Sequence, residues 1–167
     1  MRKIKHLIVH HSVSHWGDGQ VIVGWHTKPK PQGNGWSVAG YHAVICNPFT
    51  NYNSFATRNP VPGADGRVDR ILSETIPSNG CKYANANALH VCLIGDFDLD
   101  FPTARQEEKL YDLLAYWCKE YNLDPATSIF GHGEMQIKLA REGYHKSCPG
   151  KNTDMKVVRI LTKEKMK

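Results

Sequence analysis

The hydrophobic positions of this chain fall into short blocks that predict strands alternating with helices. Residues 4–11 form an apolar run that is too short for a helix and ends in polar residues, which predicts a buried strand with His10 and His11 at its carboxyl end. Residues 89–95 are a second compact apolar run and predict an interior strand of the same sheet. Residues 128–130 predict a last strand.

Helical spacing is clearest after Thr103 and Gln106, which form a capping box. The apolar residues that follow recur every three or four positions: Leu110, Leu113, Leu114, Trp117, Cys118 and Tyr121. Asp18 is a candidate N-cap for a shorter helix, which the Pro- and Gly-rich residues 28–35 bring to an end. Residues 154–162 predict a closing helix.

Residues 41–46 and 52–56 have the look of two strands joined by the turn Asn-Pro-Phe-Thr-Asn, which predicts a hairpin. Residues 58–87 are rich in Gly, Pro, Asn and Ser and predict loops. Together these elements predict one α/β (α+β) domain over residues 1–167, with a central mixed sheet of about five strands and helices on both faces.

Composition narrows the class of protein. With 167 residues, of which 41% are hydrophobic, the chain can bury one sizeable core. The first apolar run is too short for a signal peptide or a membrane span, so we expect a protein made in the cytoplasm and not inserted in a membrane. The five cysteines include no C-x-x-C pair, which argues against a disulfide scaffold. The net charge of +5 is spread along the chain, and we expect no nucleic-acid partner.

Candidate metal ligands stand at three points of the chain: His10, His132 and Cys148. Two imidazoles and one thiolate are a donor set for Zn²⁺, and three protein ligands leave the fourth position of a tetrahedral site open for chemistry. Composition alone does not select this trio, because the chain has nine histidines and His145 rivals His132.

Eight short segments, which include the three candidate ligands, occur along the chain in a fixed order. Each segment is common alone, but the ordered set is specific. These segments are residues 8–12, 25–26, 35–36, 40–45, 85–95, 101–106, 131–134 and 146–150. With Lys146 two positions before Cys148, the ordered set resembles the type 2 zinc-dependent N-acetylmuramoyl-L-alanine amidases. The similarity is greatest to the short phage-encoded amidase endolysins, a family related to the peptidoglycan recognition proteins.

This resemblance implies a role for five residues. His10, His132 and Cys148 would hold one Zn²⁺. Tyr41 matches a tyrosine that hydrogen-bonds the water on the zinc, and Lys146 matches a lysine that faces the carbonyl oxygen as it becomes an oxyanion. These two are the expected catalytic residues.

Substrate binding is expected of Trp36, His42 and Glu134. Trp36 and His42 suit two roles equally well: they would line the groove that binds sugar and peptide, or they would pack inside the protein. Glu134 also suits a proton shuttle or a hydrogen-bond partner of a ligand histidine. His90 stands where the family usually has glycine, so we expect the groove wall at that position to be narrower or differently charged.

The function implied by the resemblance is zinc-dependent hydrolysis of the amide bond between N-acetylmuramic acid and L-alanine in peptidoglycan. We expect a monomeric phage or prophage endolysin that acts on the cell wall after release or delivery. The alternatives are a non-catalytic peptidoglycan-binding module, an interbacterial effector amidase, a recycling enzyme and a hydrolase with Cys148 as nucleophile. An additional role as an inhibitor that binds a polymerase, as in some short phage amidases, is a further alternative. Cys148, Tyr41 and Lys146 are all present, which favours the amidase, because binding modules on this fold usually lack a ligand.

Overall fold

The structure is a computed structural model that describes residues 2–139 and 147–167. Its five strands are β1 His6–His11, β2 Ala43–Ile45, β3 Val68–Arg70, β4 Ala88–Leu93 and β5 Ile129–Gly131. They form one sheet in the order β3-β2-β4-β1-β5. Parallel pairs join β4 to β1 and β2, and β1 to β5, whereas β3 runs antiparallel to β2. This sheet confirms the predicted mixed architecture.

The described residues also form six α-helices: α1 Gly19–Thr27, α2 Tyr52–Ala56, α3 Ala104–Glu120, α4 Pro125–Ser128, α5 His132–Lys138 and α6 Met155–Lys165. The predicted N-caps of α1 and α3 are confirmed. The Asp18 carboxylate accepts the backbone N–H of Val21 at 3.0 Å, and the Thr103 hydroxyl accepts that of Gln106 at 3.0 Å. The closing helix α6 starts after Asp154, as predicted.

Alternating side chains of the strands build two apolar layers. Leu7 and Val9 of β1 belong to the main core, which α3 and α6 cover with residues that include Trp117 and Val158. Ile8, between them, faces the opposite side and packs with Met135 of α5. On that same side, Val44 of β2 packs with Ile22 of α1. Helices therefore cover both faces of the sheet, as the strand pattern predicts.

The predicted hairpin is wrong. Residues 52–56 form helix α2 because Asn51 and Ser54 make a capping box, in which the Asn51 side chain accepts the Ser54 N–H at 2.9 Å. The antiparallel neighbour of β2 is β3, which lies inside the stretch predicted as loops. The cap decides the local structure here, since five residues are too few to show a helical or a strand period.

The register of the sheet sets the position of the candidate ligands. In the β1–β4 pair His10 lies opposite Cys92, one residue before the end of β1. His132 directly follows β5, which is parallel to β1. Since the carboxyl ends of parallel strands meet at one edge of a sheet, both histidines reach the same edge. Among the described helices none is long and apolar enough to span a membrane.

Candidate metal centre

The structure brings the three predicted ligands together. His10, His132 and Cys148 each offer one donor atom, and these atoms all lie within 4.8 Å of one another. His10 Nδ1 is 3.7 Å from Cys148 Sγ, close to the roughly 3.5 Å that separates N and S donors on a tetrahedral zinc. The donor set and its spacing therefore fit Zn²⁺.

Close packing ties the loop of Cys148 to the start of α5. The backbone N–H of Gly133 donates to the Cys148 carbonyl at 2.8 Å. A Cβ on Gly131 would lie 2.7 Å from Pro149 Cδ, so this position requires glycine. His132 lies between Gly131 and Gly133, and the same contacts thus fix its backbone relative to the cysteine.

Glu134 strengthens this corner rather than entering the groove. Its carboxylate accepts the backbone N–H of Gly131 at 2.9 Å and pairs with Arg159, which also donates to the Ile129 carbonyl at 2.9 Å. It lines a second depression, which it shares with the loop of Cys148 and Pro149. These contacts support a role for Glu134 in holding the start of α5, and its position gives no support to substrate binding.

Asp98 anchors the same loop from the other side. Its carboxylate accepts the hydroxyl of Ser147 and, at 2.9 Å, the backbone N–H of Lys151. These hydrogen bonds hold the pKa of Asp98 below its usual range. Sequence reasoning missed this residue, because its partners lie about fifty positions further along the chain.

Burial keeps the first ligand neutral. His10 is 1% exposed, and burial together with neighbouring imidazoles, foremost His132, holds its pKa well below the ordinary value. A neutral imidazole has a free lone pair for a metal. Its other nitrogen, Nε2, lies 3.0 Å from Nδ1 of His90, a residue to which the sequence assigned no role.

The ligands open onto a groove of about 420 Å³ that contains two of the other predicted residues, Tyr41 and Trp36. The Tyr41 ring lies 4.8 Å from the His10 ring between centroids, and its hydroxyl hydrogen-bonds the Cys92 thiol. Trp36 is 38% exposed and offers a ring face to the groove. The remaining lining residues are His11, Ser12, Val13, Gly40, Asn79, Gly80, Asp98 and Ser147.

His26 orders this aromatic wall, which sequence reasoning did not anticipate. Its ring stacks on Trp36 with centroids 4.8 Å apart and meets the Tyr41 ring edge-on at 5.1 Å. Its Nδ1 accepts the backbone N–H of Gly40 at 3.0 Å, which fixes the backbone just before Tyr41. Burial lowers the pKa of His26 to about 4. The Trp25-His26 pair was the available sequence signal.

His42 lies deeper than expected. It is fully buried, its Nδ1 accepts the His90 backbone N–H at 3.0 Å, and its Nε2–H donates to the Ile76 carbonyl at 3.0 Å. With both ring nitrogens used inside the protein, its position gives no support to substrate binding. Lys146, and the rival ligand His145, lie outside the described residues.

The mixed sheet with two histidines and one cysteine gathered at its edge defines an α/β protein with a candidate metal centre. The family model of N-acetylmuramoyl-L-alanine amidases, Amidase_2, matches residues 1–151. The chain therefore belongs to the Amidase_2 family. Among curated proteins no sequence matches this chain.

Solved structures share the fold at low identity. An endolysin amidase, LysCS from Clostridium intestinale URNW, is 22% identical with a TM-score of 0.71, over 95% of this chain and 83% of its own. Drosophila PGRP-LB is 19% identical with a TM-score of 0.63, over 90% of this chain and 76% of its own. A chain from the complex of the peptidoglycan recognition proteins LCa and LCx with tracheal cytotoxin is 18% identical with a TM-score of 0.66. The match covers 95% of this chain and 82% of that one.

Proposed function

We propose that this protein is a zinc-dependent N-acetylmuramoyl-L-alanine amidase that cleaves peptidoglycan between N-acetylmuramic acid and L-alanine. The observation that carries the proposal is the complete donor set of His10, His132 and Cys148 at the base of an open groove, in a chain of this family. A binding module needs a groove but has no use for three converging metal ligands.

Amide hydrolysis near neutral pH needs a nucleophile, stabilisation of a negative oxygen and a proton for the leaving nitrogen. Bound zinc would supply an activated water and a Lewis acid for the carbonyl oxygen. His10, held neutral by burial, and Cys148, half-buried on an anchored loop, are the side chains that would keep the metal in place with His132.

Tyr41 would orient the attacking water and hold a proton at its phenol oxygen. Its ring contacts both the ligand His10 and the supporting His26, so the side chain is held at the wall of the groove beside the metal ligands. We assign Lys146 to the oxyanion on the strength of the family resemblance, two positions before Cys148.

The groove has a suitable surface for a sugar attached to a peptide. Trp36 provides an exposed aromatic face, backed by His26, for the apolar side of the substrate. Asn79 and the glycines Gly40 and Gly80 supply polar atoms and room along the same groove. We place Trp36 in substrate binding on this basis.

The biological setting that we propose is lysis by a monomeric phage or prophage endolysin, supported by the similarity to an endolysin amidase structure. The second candidate is a peptidoglycan recognition module without catalysis, favoured by the structural similarity to the recognition proteins LCa and LCx in their complex with tracheal cytotoxin. Both candidates bind the same polymer, so they are distinguished by hydrolysis.

The test is to count new amino groups. Cleavage by an amidase frees the α-amino group of L-alanine, which an amine-reactive label detects in purified peptidoglycan. We expect labelling with the zinc-loaded protein, loss of labelling after chelation, and recovery when zinc is returned. If the protein sediments with peptidoglycan but exposes no amino groups at any zinc level, it is a recognition module and the proposed amidase activity is wrong.

A further inference from the structure

His90 lies directly behind the metal ligand His10. Its Nδ1 is 3.0 Å from His10 Nε2, and the two rings are nearly parallel, with centroids 5.3 Å apart and planes 29° apart. Both residues are essentially excluded from solvent. This contact is a buried hydrogen bond between two neutral imidazoles on neighbouring parallel strands.

The surroundings of His90 fix its ring in this position. Its backbone N–H donates to Nδ1 of His42, whose ring stacks with its own at 5.9 Å between centroids. On another side, a Cβ at Gly80 would lie 2.5 Å from His90 Nδ1 and 2.4 Å from the Gly40 carbonyl oxygen, so only glycine leaves room for the imidazole.

The direction of the hydrogen bond follows from the metal site. His10 turns Nδ1 toward Cys148 Sγ, which makes Nδ1 the nitrogen that faces a metal. A metal-binding nitrogen carries no proton, so the proton of neutral His10 is on Nε2. That N–H donates to Nδ1 of His90, which acts as the acceptor.

We propose that His90 is a positioning residue for the metal centre, which fixes the tautomer and ring orientation of His10 through this hydrogen bond. Its Nε2 has no hydrogen-bond partner in the part of the chain that the structure describes, so the hydrogen bonding of the ring is directed to His10. The inference rests on the proposed zinc site of His10, His132 and Cys148. Partners of this kind orient ligands and raise metal affinity.

Two variants of matched size separate the hydrogen bond from packing. His90→Asn places a side-chain oxygen near the position of Nδ1 and keeps an acceptor for His10. His90→Leu introduces a side chain of nearly the same size and shape as asparagine, but without a hydrogen-bond acceptor for His10. We expect the leucine variant to bind Zn²⁺ roughly tenfold to a hundredfold more weakly than the wild type, and the asparagine variant to stay within about threefold.

The measurement is the Kd for Zn²⁺ in competition with a chromophoric chelator, with no substrate present. The absorption spectrum of the Co²⁺-loaded protein gives a second readout, and we expect the leucine variant to change the ligand-field bands and the asparagine variant to preserve them. Circular dichroism of the metal-free proteins controls for folding. His90→Ala replaces the leucine variant in the comparison if that variant does not fold.

The outcomes distinguish this inference from the proposed function. Equal affinities in all variants, or equal losses with asparagine and leucine, would overturn the role of His90 and leave the zinc site standing. A wild-type protein that fails to bind Zn²⁺ would overturn both. Recovery by asparagine alone is the result that a merely structural role does not produce.

Discussion

Cys148 contributes its thiol to the candidate site and its backbone to the fold, and these two contributions are separable. Its carbonyl accepts the Gly133 N–H at 2.8 Å, and Asp98 anchors the neighbouring Ser147 and Lys151. None of these hydrogen bonds uses the Cys148 sulfur. The loop therefore keeps its shape when the thiol is replaced.

Cys148→Ser should bind Zn²⁺ at least a hundredfold more weakly and lose amidase activity, because a serine hydroxyl is a poor zinc ligand. Its circular dichroism spectrum and metal-free thermal midpoint should equal those of the wild type. Zinc affinity comes from chelator competition and activity from the amino-group assay. An unfolded spectrum would show that the metal is structural.

Tyr41→Phe tests the hydroxyl without disturbing the ring contacts to His10 and His26. We expect kcat to fall by about a hundredfold, the lower range for a lost proton-transfer group, with zinc affinity unchanged. The measurement is steady-state hydrolysis of a muramyl-peptide substrate. An unchanged kcat would remove Tyr41 from the mechanism.

Lys146→Ala should also keep zinc and lower kcat by about a hundredfold, since it removes a donor to the developing oxyanion. Lys151→Ala is the matched control, because Lys151 contributes its backbone N–H to Asp98 and its side chain is exposed. The same steady-state assay compares the two. Equal effects of both replacements would reduce the role of Lys146 to surface charge.

The ordered motifs of the sequence pointed to the three candidate ligands and Tyr41, which the fold brings together, but they did not predict the depth of His42. His42 lies beside His90 in the sheet, two residues before Val44, the residue that pairs with Cys92. The groove is at the carboxyl ends of the strands, so the register of the sheet sets how far a residue lies from it. No sequence motif gives this register. For the same reason the contact between His90 and His10 could not be predicted.

At the scale of elements, helix caps proved more informative than the pattern of short segments. The capping box at Thr103 placed α3 correctly, and the equivalent signal at Asn51 and Ser54 identifies α2, where a strand was predicted. Strand β3 has no local signal, because three residues in a Gly- and Pro-rich stretch become a strand by pairing with β2. Asp69 within it accepts the Gly19 N–H at 2.8 Å, another contact that exists only in the fold.

Thr103→Ala should lower the free energy of unfolding by about 1–2 kcal/mol, since it removes the cap of α3 and the hydrogen bond that the Thr103 hydroxyl donates to Asp65 at 2.6 Å. Zinc affinity should not change, because α3 packs on the face of the sheet opposite to His10. Urea unfolding measures the effect, with Thr103→Ser as the control that retains the cap. Equal stability of the alanine and serine variants would contradict it.

At the scale of the whole molecule, the fold buries several imidazoles in neutral form. Burial lowers the pKa of both His26 and His42 to about 4, well below the 6.5 of an unfolded histidine. Between these values the unfolded chain binds protons that the folded chain does not. The contribution of these two histidines to the free energy of unfolding is therefore fully present above pH 6.5, and it is lost as the pH falls toward 4.

The metal-free protein should lose stability over this pH range, with about 3 kcal/mol attributable to His42 alone at roughly 1.4 kcal/mol per pKa unit. His42→Asn keeps an acceptor for the His90 N–H and cannot titrate, so its stability should fall less steeply. Urea midpoints from pH 7.5 to 4 measure both proteins. Parallel curves for the two would contradict the assignment to His42.

The most direct test of the central claim, that this fold holds a zinc amidase, is mass spectrometry of purified peptidoglycan digested with the zinc-loaded and the chelated protein. We predict free stem peptides that begin at L-alanine and glycan strands with intact lactyl groups, released only with zinc. Cleavage at any other bond, or the same products with and without metal, would contradict it.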